Sequence, residues 1–246
     1  MAVGNQLPSV YEEQVANKPY PLMQLTGRFG NESIHRSAGC TAVDWLSSHP
    51  LSGKNDPHLP WWSLNFTEPY YMKVWVEDTA VEDINGILFR RTGSGSAAGG
   101  NPGYNKEWAR GWDAVGDTGK PVVGADLPKR IFVRWQSVVE PQTYRAWVDI
   151  PEEALQIMRK ATAQRCSLYP ERSSSYLASL YLGLASGGIV QVWARDECYR
   201  PVKVARVQAE IEPLGPHLGK SNGHYYPLPE NSKRYIEKYG IPYGSW

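Results

Sequence analysis

The stretch FVRWQSVVEPQTYRAWVDIP, residues 132–151, constrains the fold of this chain more than any other. Ile131, Val133 and Trp135 fall at every second position, as do Tyr144, Ala146, Val148 and Ile150, which is the period of half-buried strands. Between them Val139-Glu140-Pro141-Gln142 predicts a tight connection, with proline fixing φ in the turn. Pro151 suits the first position of a helix, where its missing N–H costs nothing. Glu152 and Glu153 then face the positive end of the helix dipole, and Arg159 and Lys160 the negative end. Ala154, Leu155, Met158 and Ala161 make a buried stripe at helical spacing. A β-hairpin leading straight into a helix is therefore expected.

The remaining periodicity is also mostly β. Met72, Val74 and Val76 alternate with Lys73, Trp75 and Glu77, predicting a strand over residues 71–77, followed by a turn at 83–86 and a return at 87–90. Residues 91–124 are rich in Gly and Ser and predict a long surface excursion. Strands are expected at 176–184 and 189–194, and a long one from Pro201. On that last strand the apolar positions slip by one, from Val202 and Val204 to Ala205, Val207, Ala209 and Ile211, as at a β-bulge. A short helix around residues 231–239 is stopped by Gly240 and Pro242. With 23 Gly, 19 Pro, 15 Tyr and 10 Trp among 246 residues, the composition also favours strands and turns. The expected class is mainly β (α+β): an antiparallel sheet or β-sandwich with one packed helix after the central hairpin and a short C-terminal helix. Residues 1–59 read as a polar, irregular lead, and 60–246 as one β-rich domain.

Lys and Arg (26) nearly balance Asp and Glu (25), so the basic surplus expected of a nucleic-acid binder is missing. No apolar run approaches the roughly 20 residues of a membrane span. Cys40, Cys166 and Cys198 have no C-x-x-C spacing, which disfavours a zinc site, and leave one bridge or three thiols open. The five histidines are scattered through polar segments, none four residues from another. The glycine-rich runs at 93–100 and 116–121 match neither a nucleophile elbow, a dinucleotide loop nor a phosphate loop. No catalytic, metal-binding or cofactor-binding residue is expected, and the protein is not expected to be an enzyme. Trp61 and Trp62 suggest either a sugar-stacking platform or caps on the open ends of a β core. Tyr104, Trp108 and Trp112 lie in the long excursion and must bury against the domain or against a partner.

Four stretches together carry a resemblance: PYYMKVWVEDTAVEDINGILF, GADLPKRIFVRWQSVVEPQTYRAWVDIPEEALQIM, YLASLYLGLASGGIVQVWARDECYRPVKVARVQAEIEPLGPHLG and YIEKYGIPYGSW. In this order they resemble a family of bacterial lipoproteins whose domain is of unknown function, from about Pro60 to Trp246. The series Asp126 to Pro128, Arg134 to Ser137 and Glu140 to Tyr144 is its most specific part. The resemblance implies a periplasmic β-rich protein made with a signal peptide and a lipidated cysteine, so membrane contact is expected only through an N-terminal lipid anchor of the full-length precursor. It implies no catalytic residues. Family members commonly act as immunity proteins for antibacterial lipase effectors of the type VI secretion system. The expected function is accordingly binding and inhibition of a cognate lipase, with Tyr104, Trp108 and Trp112 as interface anchors and the hairpin as scaffold. The alternative is an envelope carbohydrate- or ligand-binding lipoprotein domain. An oxidising periplasm further implies a Cys166–Cys198 bridge between the end of the helix and a strand turn, leaving Cys40 free.

Overall fold

A computed structural model describes residues 61–99, 111–112, 115–171 and 178–246. Two sheets enclose the core. Sheet I has five strands in the order β10-β9-β8-β1-β5, where β1 is Trp62–Thr67, β5 Lys120–Pro121, β8 Ala178–Ala185, β9 Ile189–Arg195 and β10 Pro201–Gln208. Sheet II has six strands: β11 (Glu210–Ile211), β7 (Gln142–Asp149), β6 (Pro128–Ser137), β2 (Val74–Asp83) and β3 (Leu88–Arg90), with β4 (Gly95–Ser96) also paired to β2. Pairing is antiparallel except between β1 and β8, which run parallel with Leu64 opposite Leu180. The fold is mainly β, as expected, in the form of a sandwich.

The alternation along each strand supplies the filling. Leu64 and Phe66, Leu180 and Leu182, and Val190 and Val192 from sheet I join Val74, Val76, Ile131, Val133, Trp135 and Val148 from sheet II in one buried apolar cluster. Each buried side chain of this size contributes roughly 1.5–3 kcal/mol, so the inward rows of the hairpin are a principal source of stability. Helix α1 (Glu152–Ala163) adds Ala154, Leu155 and Met158 to the same cluster. Pro151 is its N-cap with extended backbone, one residue earlier than expected, and its carbonyl accepts from the amides of Ala154 and Leu155. Helix α2 (Glu230–Tyr239) docks at the hairpin-turn end, where Tyr235 stacks on Tyr71 at 4.6 Å between ring centroids.

Three local features differ from the sequence reading. No strand is expected from the sequence at β1, yet all six of its residues are buried. β2 runs on to Asp83 through a bulge between Val76 and Asp78, and its Asp83 carboxylate then accepts from the amides of Asn85 and Ile87 to close the turn. The strand from Pro201 does not remain in one sheet to Ile211. After the register shift between Lys203 and Ala205, where a bulge was expected, the chain leaves sheet I at Ala209 and re-pairs as β11 with β7 of sheet II. A residue that changes sheets keeps its hydrogen bonds, so hydropathy alone does not reveal the switch.

Candidate interaction face

The outer surface of sheet II is built by the residues that the hairpin points away from the core. Registers place Ala80 opposite both Arg90 and Phe132, and Phe132 opposite Trp147, so these four form a row across β3, β2, β6 and β7. A parallel row runs through Asp78, Arg134, Arg145 and Glu210. Trp147 is 42% exposed and Leu88 40%, large apolar surface for a sheet face in water. Phe132 and Trp147 pack at 5.4 Å between centroids, and the Arg130 guanidinium lies 4.4 Å over the Trp147 ring. Between these side chains lie two adjoining hollows of about 470 and 300 Å³, with Phe132, Arg134 and Trp147 lining both. The small Ala80 side chain floors the larger one.

The charges on this face are unequally compensated. Arg134 and Arg145 sit directly opposite one another, a pairing that is unfavourable unless each is neutralised. Arg134 donates to the buried Glu77 carboxylate at 2.9 Å, and Arg145 to the buried Glu212 at 3.3 Å. Glu82 is held below the usual carboxylate range by hydrogen bonds from Lys129 and Arg130. Arg90 and Arg91 have no ion-pair partner among the described residues, and Asp78 is the one acid that lines the larger hollow with them. Arg91 is itself in the left-handed region at φ 57°.

One end of the face is walled by residues 215–226. His217 and Leu218 are left-handed at φ 51° and 54°, a conformation that costs non-glycine residues on the order of 1 kcal/mol or more each. Two side chains on sheet II hold the wall down. Glu77 accepts from the His217 amide at 2.7 Å, and Gln136 accepts from the Tyr226 amide at 2.6 Å. The Tyr226 ring stacks on Trp75 at 4.2 Å. Leu218, 39% exposed, is thereby presented to the smaller hollow.

The outer surface of sheet I is built differently. Its outward residues Ser63, Asn65, Thr67, Ser179, Tyr181 and Gln191 are polar yet buried, and residues 116–119 of the long excursion bond to Asn65 and Thr67 among them. Asn65 organises the cover: its side-chain oxygen accepts from the amides of Thr118 and Gly119, and its amide group donates to Ser63 Oγ and the Leu180 carbonyl. Thr67 Oγ1 accepts from the Gly116 amide, and Arg195 pairs with Asp117 at 3.3 Å.

The residues singled out from the sequence fall in several places. Tyr104 and Trp108 lie outside the described residues. Trp112 belongs to the cover on sheet I, half-buried, its ring edge-on to Trp193 at 5.2 Å. A Cβ on Gly183 would come within 2.7 Å of Trp112 and 2.5 Å of Trp193, so glycine at this position is what allows both rings to close on the sheet. Trp61 and Trp62 are buried, and Trp61 donates to the Ala125 carbonyl, so neither offers a face to a sugar. Cys166 and Cys198 form a disulfide that ties the chain just past α1 to the β9–β10 turn. Among the described residues no group of His, Cys, Asp and Glu is arranged to hold a metal, and no helix is long and apolar enough to cross a membrane. The period-2 pattern of the hairpin points to its inward rows, while this face is built by the outward ones. Phe132 and Trp147, aromatic at positions whose parity points to solvent, were the available signal.

A family model described as "Protein of unknown function (DUF2931)" matches residues 48–244. The chain belongs to this family. The match spans every element described above, so the open face of sheet II and the covered face of sheet I both lie within the DUF2931 domain. No curated protein and no solved structure matches the chain.

Proposed function

We propose that this DUF2931 protein is a binding protein of the periplasm, an immunity protein that engages and inhibits a cognate antibacterial lipase effector of the type VI secretion system. One observation carries the reading toward binding. A rigid sandwich presents exposed aromatic and arginine side chains in one contiguous patch, the composition typical of protein–protein hot spots. The stretches quoted above, which resemble immunity lipoproteins, supply the class of partner. The Cys166–Cys198 bridge supports an oxidising compartment. The carbohydrate alternative loses its original candidates, since Trp61 and Trp62 are core residues.

The test is enzymatic. A candidate type VI lipase effector from the same genome is assayed on phospholipid vesicles with increasing amounts of purified protein. The reading expects activity to vanish near equimolar ratio, through an interface of standard size, about 1,600 Å² in total. Undiminished lipase activity in excess protein contradicts it.

A further inference from the structure

We infer that the larger hollow on sheet II is the seat of an acidic, apolar-tipped segment of a protein partner, with Arg90 and Arg91 meeting its carboxylates and Phe132 and Trp147 its apolar side chain. This rests on the reading that the protein works by binding another protein, and it names the surface and the chemistry of what docks there.

Charge complementarity selects the occupant. Of the arginines around the hollows, Arg130, Arg134 and Arg145 are already neutralised by Glu82, Glu77 and Glu212. Those three fix the geometry of the face and have little left to offer a ligand. Arg90 and Arg91 lack an ion-pair partner among the described residues, and the single Asp78 carboxylate beside them leaves the larger hollow with a positive surplus. Desolvating two such guanidinium groups against an apolar surface would be costly, whereas a partner carboxylate converts them into charge-assisted, bidentate hydrogen bonds. A basic partner segment is thus excluded and a purely apolar one disfavoured.

Shape selects the rest. Ala80 stands between Arg90 on one neighbouring strand and Phe132 on the other, so a gap opens in an otherwise filled row. The gap of about 470 Å³ accepts one large side chain with its flanking backbone. Its floor and far wall are apolar, and its near rim carries Arg90 and Arg91. The wall at His217 and Leu218, left-handed in backbone and held by the buried Glu77, bounds the neighbouring hollow with the exposed Leu218.

Two measurements on the full chain decide the inference separately from the proposed function. In the first, a phage library of random dodecapeptides is selected on the wild-type protein and on the Arg90→Glu/Arg91→Glu variant. Wild type is expected to enrich peptides pairing Asp or Glu with an aromatic or aliphatic residue, and the variant to lose them. No such enrichment, or the same enrichment on both proteins, overturns the inference. In the second, the candidate lipase effector is titrated calorimetrically. The double charge reversal is expected to weaken its binding about 100-fold, with much less salt dependence than wild type. Trp147→Ala is expected to weaken binding about 30-fold with unchanged melting temperature. Equal affinity for wild type and both variants overturns the inference while leaving the inhibitor reading intact. If wild type binds no lipase yet selects acidic peptides that the variant loses, the inhibitor reading fails and the inference stands.

Discussion

The two outer faces of the sandwich are made of similar strands and have been treated in opposite ways. On sheet I the outward row of β1 is small and polar, and its Asn65 and Thr67 are spent on holding down residues 116–119. On sheet II, outward side chains are large, aromatic or guanidinium-bearing, and the middle of the face is open. The first arrangement uses polar groups for internal order. The second leaves apolar and charged groups facing water, where they contribute little to folding. Surface that does little for folding is where binding is most readily accommodated.

The contrast predicts that stability is sensitive on one face and tolerant on the other. The largest effect is expected for Asn65→Leu. This removes the acceptor for the Thr118 amide, one of two acceptors for the Gly119 amide (the other is Asp117), and the donor to Leu180 at a fully buried site. With each stranded group costing about 1–3 kcal/mol, a loss of roughly 3–5 kcal/mol is expected by urea unfolding. A loss below about 1 kcal/mol would show that the cover is not anchored through Asn65.

A second strong effect is expected at Gly183. An alanine Cβ would lie inside contact distance of Trp112 and Trp193, so Gly183→Ala should cost about 1–3 kcal/mol by overpacking and shift the near-ultraviolet circular dichroism of the tryptophans. A neutral outcome with an unchanged spectrum would mean that Trp112 does not rest on the sheet.

The junction of the two sheets carries a pH dependence. Burial of Glu68, at the end of β1, pushes its carboxyl up to about 7, outweighing the opposing pull of Lys73. The folded state therefore holds this proton more tightly than the unfolded chain, whose value is near 4.5. Stability should be highest below pH 4.5 for this group and fall as pH rises toward 7, by up to about 3 kcal/mol, then level off. Glu68→Gln should remove that slope in urea titrations between pH 5 and 8; an unchanged slope would assign it to another group.

On the open face the expectation reverses. Trp147→Ala and Phe132→Ala should each change folding stability by about 1 kcal/mol or less, since Trp147 is 42% exposed and Phe132 only half-buried, both outside the core cluster. Unfolding of either variant would make sheet II's outer face a structural surface and erase the contrast.

How much of this was legible in the sequence follows the burial. The rows Ile131-Val133-Trp135 and Tyr144-Ala146-Val148 declared themselves because only one side of each strand is buried. The slip after Val204 marked the bulge for the same reason. β1 was missed although Trp62, Leu64 and Phe66 alternate with Ser63, Asn65 and Thr67. Its polar residues are buried too, under chain supplied from fifty positions away, and no local pattern reports a cover of that kind. The sheet switch at Ala209 was hidden because the residues on either side remain extended. The binding surface was sought in the long excursion, where aromatics stand among glycines. Trp112 turned out to pack on the chain's own sheet, and the outward aromatics of the hairpin went unread.

The most direct test of the central claim is hydroxyl-radical footprinting of the protein alone and in complex with the lipase partner proposed for it. Oxidation of Trp147, Phe132, Leu88 and Leu218 should fall several-fold on complex formation, while exposed residues elsewhere, such as Tyr199 and Leu168, keep their rates. Protection confined to the cover on sheet I or to the β9–β10 turn, with Trp147 still oxidised at its free rate, would contradict the account.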